Sequence, residues 1–177
     1  RLLGIAADAV GCRRDRALER LQGLREYHLK EASQVVSVAE EAELESAVAE
    51  HFRELEELVK GLAVLGELTP RSADAIASYG ERLSSLIVAL AFRRLGMECA
   101  HLDSRRVITT DQRHTQASPL YAETYSRLRA TIPPLAESAV VVMGGFIGAT
   151  EDGVTTTLGR GGSDFTAAIV GAGLGAE

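Results

Sequence analysis

Apolar residues return at helical spacing through the first 95 or so positions. From Arg13 to Lys30, Leu18, Leu21 and Leu24 recur among many charges, which predicts a surface helix with one buried stripe. A stronger pattern runs from Glu40 to Leu65, where Leu44, Val48, Leu55, Leu58, Leu62 and Leu65 step by three, four or seven residues along one face. Between Glu31 and Lys60 nine carboxylates stand against two basic side chains, the signature of a solvated helix face. Gly66 is expected to close that helix, and Thr69-Pro70 to open the next as N-cap and first helical residue. This last helix should break near Tyr79-Gly80 and resume through Leu83, Leu86, Ile87, Val88, Leu90 and Phe92. Its apolar circumference predicts burial on several sides.

After Gly96 short β-type runs alternate with turns. Glu98–Leu102 and Val107–Thr110 are expected strands, and Ser118-Pro119 is expected to cap a helix through about Arg129. That helix should place Tyr121 and Leu128 inward and end at Pro133-Pro134. Ala139–Met143 is a continuous apolar run, the pattern of a strand covered on both faces in a mostly parallel α/β sheet. Asp152-Gly153 suits a tight hairpin between Phe146–Thr150 and Val154–Leu158. A final helix over Phe165–Val170 should be capped by Ser163 or Asp164.

Composition narrows the picture. The chain has 177 residues, 46% hydrophobic and 25% charged, with no Trp, as expected of a globular protein with an aliphatic core. A net charge of −6 argues against nucleic acid or an anionic membrane as partner. No apolar run approaches the roughly 20 residues of a membrane span. Cys12 and Cys99 are too sparse for a disulfide framework, so a reducing, cytoplasmic setting is expected. Of 19 basic residues only Lys30 and Lys60 are lysine, leaving 17 arginines. The start at Arg1 without an initiator Met, and the stop after an apolar, glycine-containing run, suggest an excerpt of a longer protein.

Two glycine-rich turns fall within about twenty residues, one after the apolar strand and one opening the last helix, where open α/β sheets bind ligands. In Gly159-Arg160-Gly161-Gly162-Ser163-Asp164 the glycines admit a ligand to the backbone, helix N–H groups attract an anion, and Arg160 offers a planar fork for a carboxylate. The same residues also suit a plain helix start with an Arg160–Asp164 ion pair. Glu81, beside the expected break, needs a cationic partner, and a substrate ammonium or an arginine would serve equally. Neither the phosphate-loop nor the dinucleotide consensus is met. The four histidines lack metal-ligand spacing, Ser84 and Ser85 lack a nucleophile elbow, and Cys99 suits a small core position.

Ser78-Tyr-Gly-Glu-Arg-Leu-Ser-Ser85 and the long run from Gly144 to Ala168, above all Thr155-Thr-Thr-Leu-Gly-Arg-Gly-Gly-Ser-Asp164, resemble the aspartate kinases of the amino-acid kinase superfamily. The resemblance implies a three-layer αβα sandwich, carbamate kinase-like, with a largely helical N-terminal half. It further implies Mg-ATP-dependent phosphorylation of the L-aspartate side-chain carboxylate, the entry to lysine, threonine and methionine biosynthesis. By matching motif, Glu81 would meet the substrate α-ammonium and Arg160 the α-carboxylate. Gly161, Gly162 and Ser163 would form the substrate loop, Phe146 would pack nearby, and Asp164 would orient an active-site lysine.

The family's opening Lys-Phe-Gly-Gly-Thr-Ser strand, its later ATP-binding segment and its ACT regulatory domains have no counterpart in residues 1–177. Lys30 and Lys60 do not match the phosphate-facing lysine. The expectation is therefore a partial catalytic domain that carries the amino-acid pocket, is inactive as an isolated chain, and comes from a homo-oligomeric parent. A glutamate or acetylglutamate kinase, or a non-catalytic amino-acid-binding module, are the competing readings.

Overall fold

A computed structural model describes residues 1–176. Four helices build the first half: α1 (Leu2–Val10), α2 (Arg14–Ala32), α3 (Glu41–Leu65) and α4 (Pro70–Arg94). Their shared core includes Ile5, Leu21, Leu44, Val48, Leu55, Ile76 and Leu90, each almost fully buried and each contributing about 1.5–3 kcal/mol by leaving water. Phe52 and Val59 join the α3 stripe, whereas Leu65, the last residue of the helix, is 72% exposed. Gly66 supplies the left-handed cap (φ 71°), and Thr69 Oγ1 accepts the Ser72 N–H at 3.1 Å to start α4 at Pro70.

The expected break at Tyr79-Gly80 does not occur, and α4 runs unbroken for 25 residues. A mid-helix glycine costs roughly 1 kcal/mol against alanine, less than the burial of Ile76, Tyr79 and Leu83 on either side of it returns. In length and composition α4 would also suit a membrane span. Here it packs against α3 and the strands and carries Asp74, Glu81 and Arg82, which marks it as a core helix.

The arginines act as struts between elements, a task for which a planar fork suits better than an ammonium. Arg13 donates to Asp8 at 2.8 Å and Arg20 to the same carboxylate, joining α1 to α2 and holding Asp8 below the usual carboxylate range. Arg93 joins α4 to Glu43 of α3 and to the Cys99 carbonyl.

Strands β1 (Cys99–Leu102) and β2 (Val140–Met143) pair in parallel, Cys99 opposite Val140 and Leu102 opposite Met143. Between them runs α5 (Tyr121–Ala136). His101 faces α4, with its Nε2 2.9 Å from Ser85 Oγ, while Leu102, Val141 and Met143 face the second core with Leu128, Ile132 and Ile169. Helices therefore cover both faces of the sheet, the αβα layering expected. Val140 is nonetheless 46% exposed, so the cover over β2 is incomplete at its start.

Val107–Thr110 forms no regular strand. A 3₁₀ turn at Ser104–Arg106 precedes it, and only Thr109 and Thr110 bridge, to Ala149 and Pro119. α5 starts after Leu120 rather than at Ser118-Pro119, and Tyr121 is 47% exposed while Leu128 is buried. Pro133 and Pro134 lie inside its last turn, and the helix runs two residues beyond them to Ala136. The hairpin β3 (Ile147–Ala149) and β4 (Thr155–Thr157) forms as expected, with Gly153 at φ 78°. α6 (Gly162–Leu174) is capped by Gly161 in the left-handed region (φ 74°). Ser163 and Asp164 thus fall inside its first turn instead of capping it.

Candidate functional site

Three glycines bring α4, the loop after β2 and the start of α6 into contact. A Cβ on Gly144 would sit 3.1 Å from the Glu81 carbonyl oxygen and 3.3 Å from Glu81 Cβ. One on Gly145 would lie 2.7 Å from Ser163 Cα, closer than any side chain tolerates, and one on Gly162 would lie 2.9 Å from the Phe146 ring. Glu81, Phe146, Gly162 and Ser163 are thereby gathered around Gly144-Gly145. Ser104 Oγ donates to the Gly144 carbonyl and anchors this loop from below.

Phe146 occupies the left-handed region at φ 68°, a strained conformation for an aromatic residue. It is held there from both sides: its N–H donates to Thr166 Oγ1 at 3.0 Å, and its carbonyl accepts the Leu158 N–H at 2.9 Å. Thr166 in turn donates to the Gly162 carbonyl at 2.8 Å, so one side chain ties the first turn of α6 to the loop after β2.

Glu81 is half-buried, and burial pushes its carboxyl above the usual carboxylate range. Of the two partners left open by the sequence, the arginine is not found. The adjacent Arg82 is stacked 4.4 Å over the Tyr79 ring and lies 3.5 Å from Glu54, which also accepts the Tyr79 hydroxyl at 2.7 Å. Among the described residues the Glu81 carboxylate therefore has no cationic partner.

Arg160 is exposed, and no Arg160–Asp164 ion pair forms among the described residues. It lines a cleft of about 290 Å³ with Phe146, Thr157, Gly159, Thr115 and Asp74. Asp164 is exposed on the first turn of α6 and bonds to none of the other candidates. Lys60 is committed to Glu56 and Glu57 on α3, and Lys30 lies exposed near the end of α2. Sequence reasoning missed Asp74, which is 1% exposed and accepts hydrogen bonds from three residues. Its only advance signal was a carboxylate seven residues before Glu81 on an apolar helix.

A half-buried carboxylate thus packs against the glycine-built loop at Gly144, and an exposed guanidinium lines a cleft with Phe146 of the same loop, two residues before a 13-residue helix begins. That arrangement suits a small zwitterion whose ammonium and carboxylate need opposite charges. Among the described residues no group of three or more His, Cys, Asp and Glu side chains gathers as a metal site requires.

Aspartokinase 3, chloroplastic, of Arabidopsis thaliana is 37% identical over 164 residues, 89% of this chain and 28% of that protein. Lysine-sensitive aspartokinase 3 of Escherichia coli (strain K12) is 34% identical over 129 residues, 70% of this chain and 29% of that protein. The crystal structure of E. coli aspartokinase III in complex with lysine and aspartate matches with a TM-score of 0.84 at 26% identity, over 98% of this chain and 39% of that one. The chain thus spans under a third of the length of these curated relatives. A family model for the amino acid kinase family matches residues 11–177, and the chain belongs to that family.

Proposed function

We propose that this chain is part of the catalytic domain of an aspartate kinase and supplies its amino-acid pocket. The reaction is ATP-dependent phosphorylation of the L-aspartate side-chain carboxylate to 4-phospho-L-aspartate, the entry to lysine, threonine and methionine biosynthesis. The observation that carries the reading is a pair of opposite charges with no ion-pair partner among the described residues, Glu81 against Gly144 and Arg160 lining a cleft with Phe146, both beside the loop that packs on the α6 N-terminus. Relatives named aspartokinase and a neighbour holding aspartate and ADP support it.

In this reading Glu81 holds the α-ammonium and Arg160 the α-carboxylate. Phe146 and the backbone of Gly161, Gly162 and Ser163 close around the chain between them. The side-chain carboxylate is already ionised at neutral pH, so no general base is needed. One of its oxygens forms a bond to the γ-phosphorus as the bond to the bridging oxygen breaks, and ADP departs with the electron pair. What the protein contributes is alignment and charge compensation. Mg²⁺ would accompany the nucleotide, neutralising phosphate charge. Among the described residues no carboxylate cluster gathers for it, and no step above passes through it. Asp164 is assigned to orient a phosphate-facing lysine from beyond these residues. A cytoplasmic, homo-oligomeric parent completes the proposal, and the free thiols Cys12 and Cys99 suit a reducing compartment.

A substrate panel on the full-length protein tests this directly. Aspartate is expected to exceed glutamate and acetylglutamate by about tenfold or more in kcat/KM, and a preference for glutamate would refute the assignment.

Glu81 also makes a pH prediction. Its folded-state pKa lies above the unfolded value, so between the two the folded state binds more protons and stability falls as pH rises through that window. Glu81→Gln should remove this slope, giving a higher Tm than the parent at neutral pH, while raising the aspartate KM by about tenfold or more. Thermal melts across pH, paired with aspartate kinetics, check both halves. An unchanged pH slope in the variant would show that burial of Glu81 does not matter to stability.

A further inference from the structure

Asp74 is a buried carboxylate that the reaction outlined above does not use. It sits on α4 seven residues before Glu81, two turns away on the same face and roughly 10 Å along the axis. Burying a carboxylate is costly unless its lone pairs are filled, and here they are. Asp74 accepts the Thr115 N–H at 2.9 Å, the Thr157 hydroxyl at 2.6 Å, and lies 2.8 Å from His114 Nδ1. At 1% exposure with these partners, it cannot itself meet a ligand.

Its partners converge on one turn. Thr157 ends β4, two residues before Gly159 and three before Arg160. Thr115 is a β-branched residue at φ 69°, a conformation that persists only where surrounding bonds impose it. The Thr115 carbonyl oxygen lies 3.0 Å from where a Cβ on Gly159 would be, so the strained residue forms the wall of the Gly159 turn. Ala117 N–H donates to the Thr157 carbonyl at 2.9 Å and closes the same wall. Asp74, Thr115, Thr157, Gly159 and Arg160 line a single cleft.

We propose that Asp74 is a positioning residue for Arg160: through Thr115 and Thr157 it sets the Gly159–Arg160 turn, and so aims the guanidinium at the substrate α-carboxylate. This rests on the reading that Arg160 binds that carboxylate. It makes α4 a ruler, carrying the ammonium partner Glu81 and the carboxylate-site anchor Asp74 two turns apart on one rigid helix. The spacing between the two charged subsites is then fixed by helix geometry rather than by loop conformation.

Steady-state kinetics and melting of the full-length protein test the assignment. Thr157→Val, which deletes one bond and little volume, should raise the aspartate KM by about fivefold while the ATP KM stays within about twofold. Asp74→Ala should raise the aspartate KM by about tenfold or more. Asp74→Asn, whose amide oxygen still accepts from Thr115 and Thr157, should stay within about threefold of the parent. Combined with Arg160→Ala, Asp74→Ala should add no further rise in aspartate KM, since both act through one contact. If Asp74→Ala fails to fold, Thr157→Val and Asp74→Asn decide the matter. Parallel rises in both KM values tracking a falling Tm would reduce Asp74 to a structural strut and overturn the proposal. An aspartate KM that rises in Arg160→Ala but not in Thr157→Val or Asp74→Ala would overturn this inference alone. No effect of Arg160→Ala would remove the underlying reading, and the inference with it.

Discussion

Arg160→Ala in the full-length protein is expected to raise the aspartate KM by about tenfold to about a hundredfold, equivalent to roughly 1.5–3 kcal/mol for a lost charge-assisted pair. Arg160 is exposed in the cleft with no ion-pair partner among the described residues, so its removal leaves no buried charge behind and disturbs no strut. The loss should therefore fall on aspartate binding, with little change in Tm or in the ATP KM. Arg160→Lys keeps the charge but not the two parallel donors and should lie between parent and alanine variant. Aspartate and ATP titrations on the three proteins provide the measurement, and an unaltered aspartate KM in the alanine variant would remove Arg160 from the pocket.

The second large effect is expected at a residue with no side chain. In Gly145→Ala the new Cβ would meet Ser163 Cα at 2.7 Å and Ser163 Cβ at 2.9 Å, and backbone cannot swing aside as a flexible side chain can. Either the β2 loop or the first turn of α6 must shift, a strain of about 1–3 kcal/mol. Because reacting groups misplaced by about 1 Å lose roughly a hundredfold in rate, kcat/KM should fall by about that factor although no functional group has been removed. Gly153→Ala is the matched control. It too places alanine at a glycine, at the strained turn φ of 78°, but its Cβ meets nothing within 4 Å and it lies away from the cleft. It should lower Tm modestly and leave kinetics near the parent. Equal kinetic losses in the two variants would show that general destabilisation, not the Gly145–Ser163 approach, is responsible.

Gly66, Thr69-Pro70 and Asp152-Gly153 announced their turns and caps because each is decided by a few adjacent backbone angles and one short hydrogen bond. The continuity of α4 through Gly80 was not legible. It depends on what Tyr79 and Leu83 pack against, and a local propensity deficit is easily outweighed by burial. Similarly, Leu65 and Tyr121 had the periodicity of core residues but face solvent, because periodicity says which face a residue shares and not where the neighbouring element stops. In the site, the glycine motifs and Arg160 were visible as a pattern, whereas the cap of α6 fell to Gly161 rather than to Ser163 or Asp164.

By itself the sequence determined the family resemblance, the glycines that allow close backbone approach, and the opposite charges a zwitterion would need. It left open whether Glu81 was already paired with an arginine, and of Asp74 it showed only a carboxylate seven residues before Glu81 on an apolar helix. Only the tertiary structure decided these points. Arg82 is drawn to Tyr79 and Glu54 by α3 packing on α4, which leaves Glu81 without a cationic partner among the described residues. Asp74 finds Thr157 across 83 positions of chain. Backbone preferences are local energies and can be read residue by residue. The partner of a charge depends on which distant elements the hydrophobic cores bring together, and that is settled only when the chain has folded.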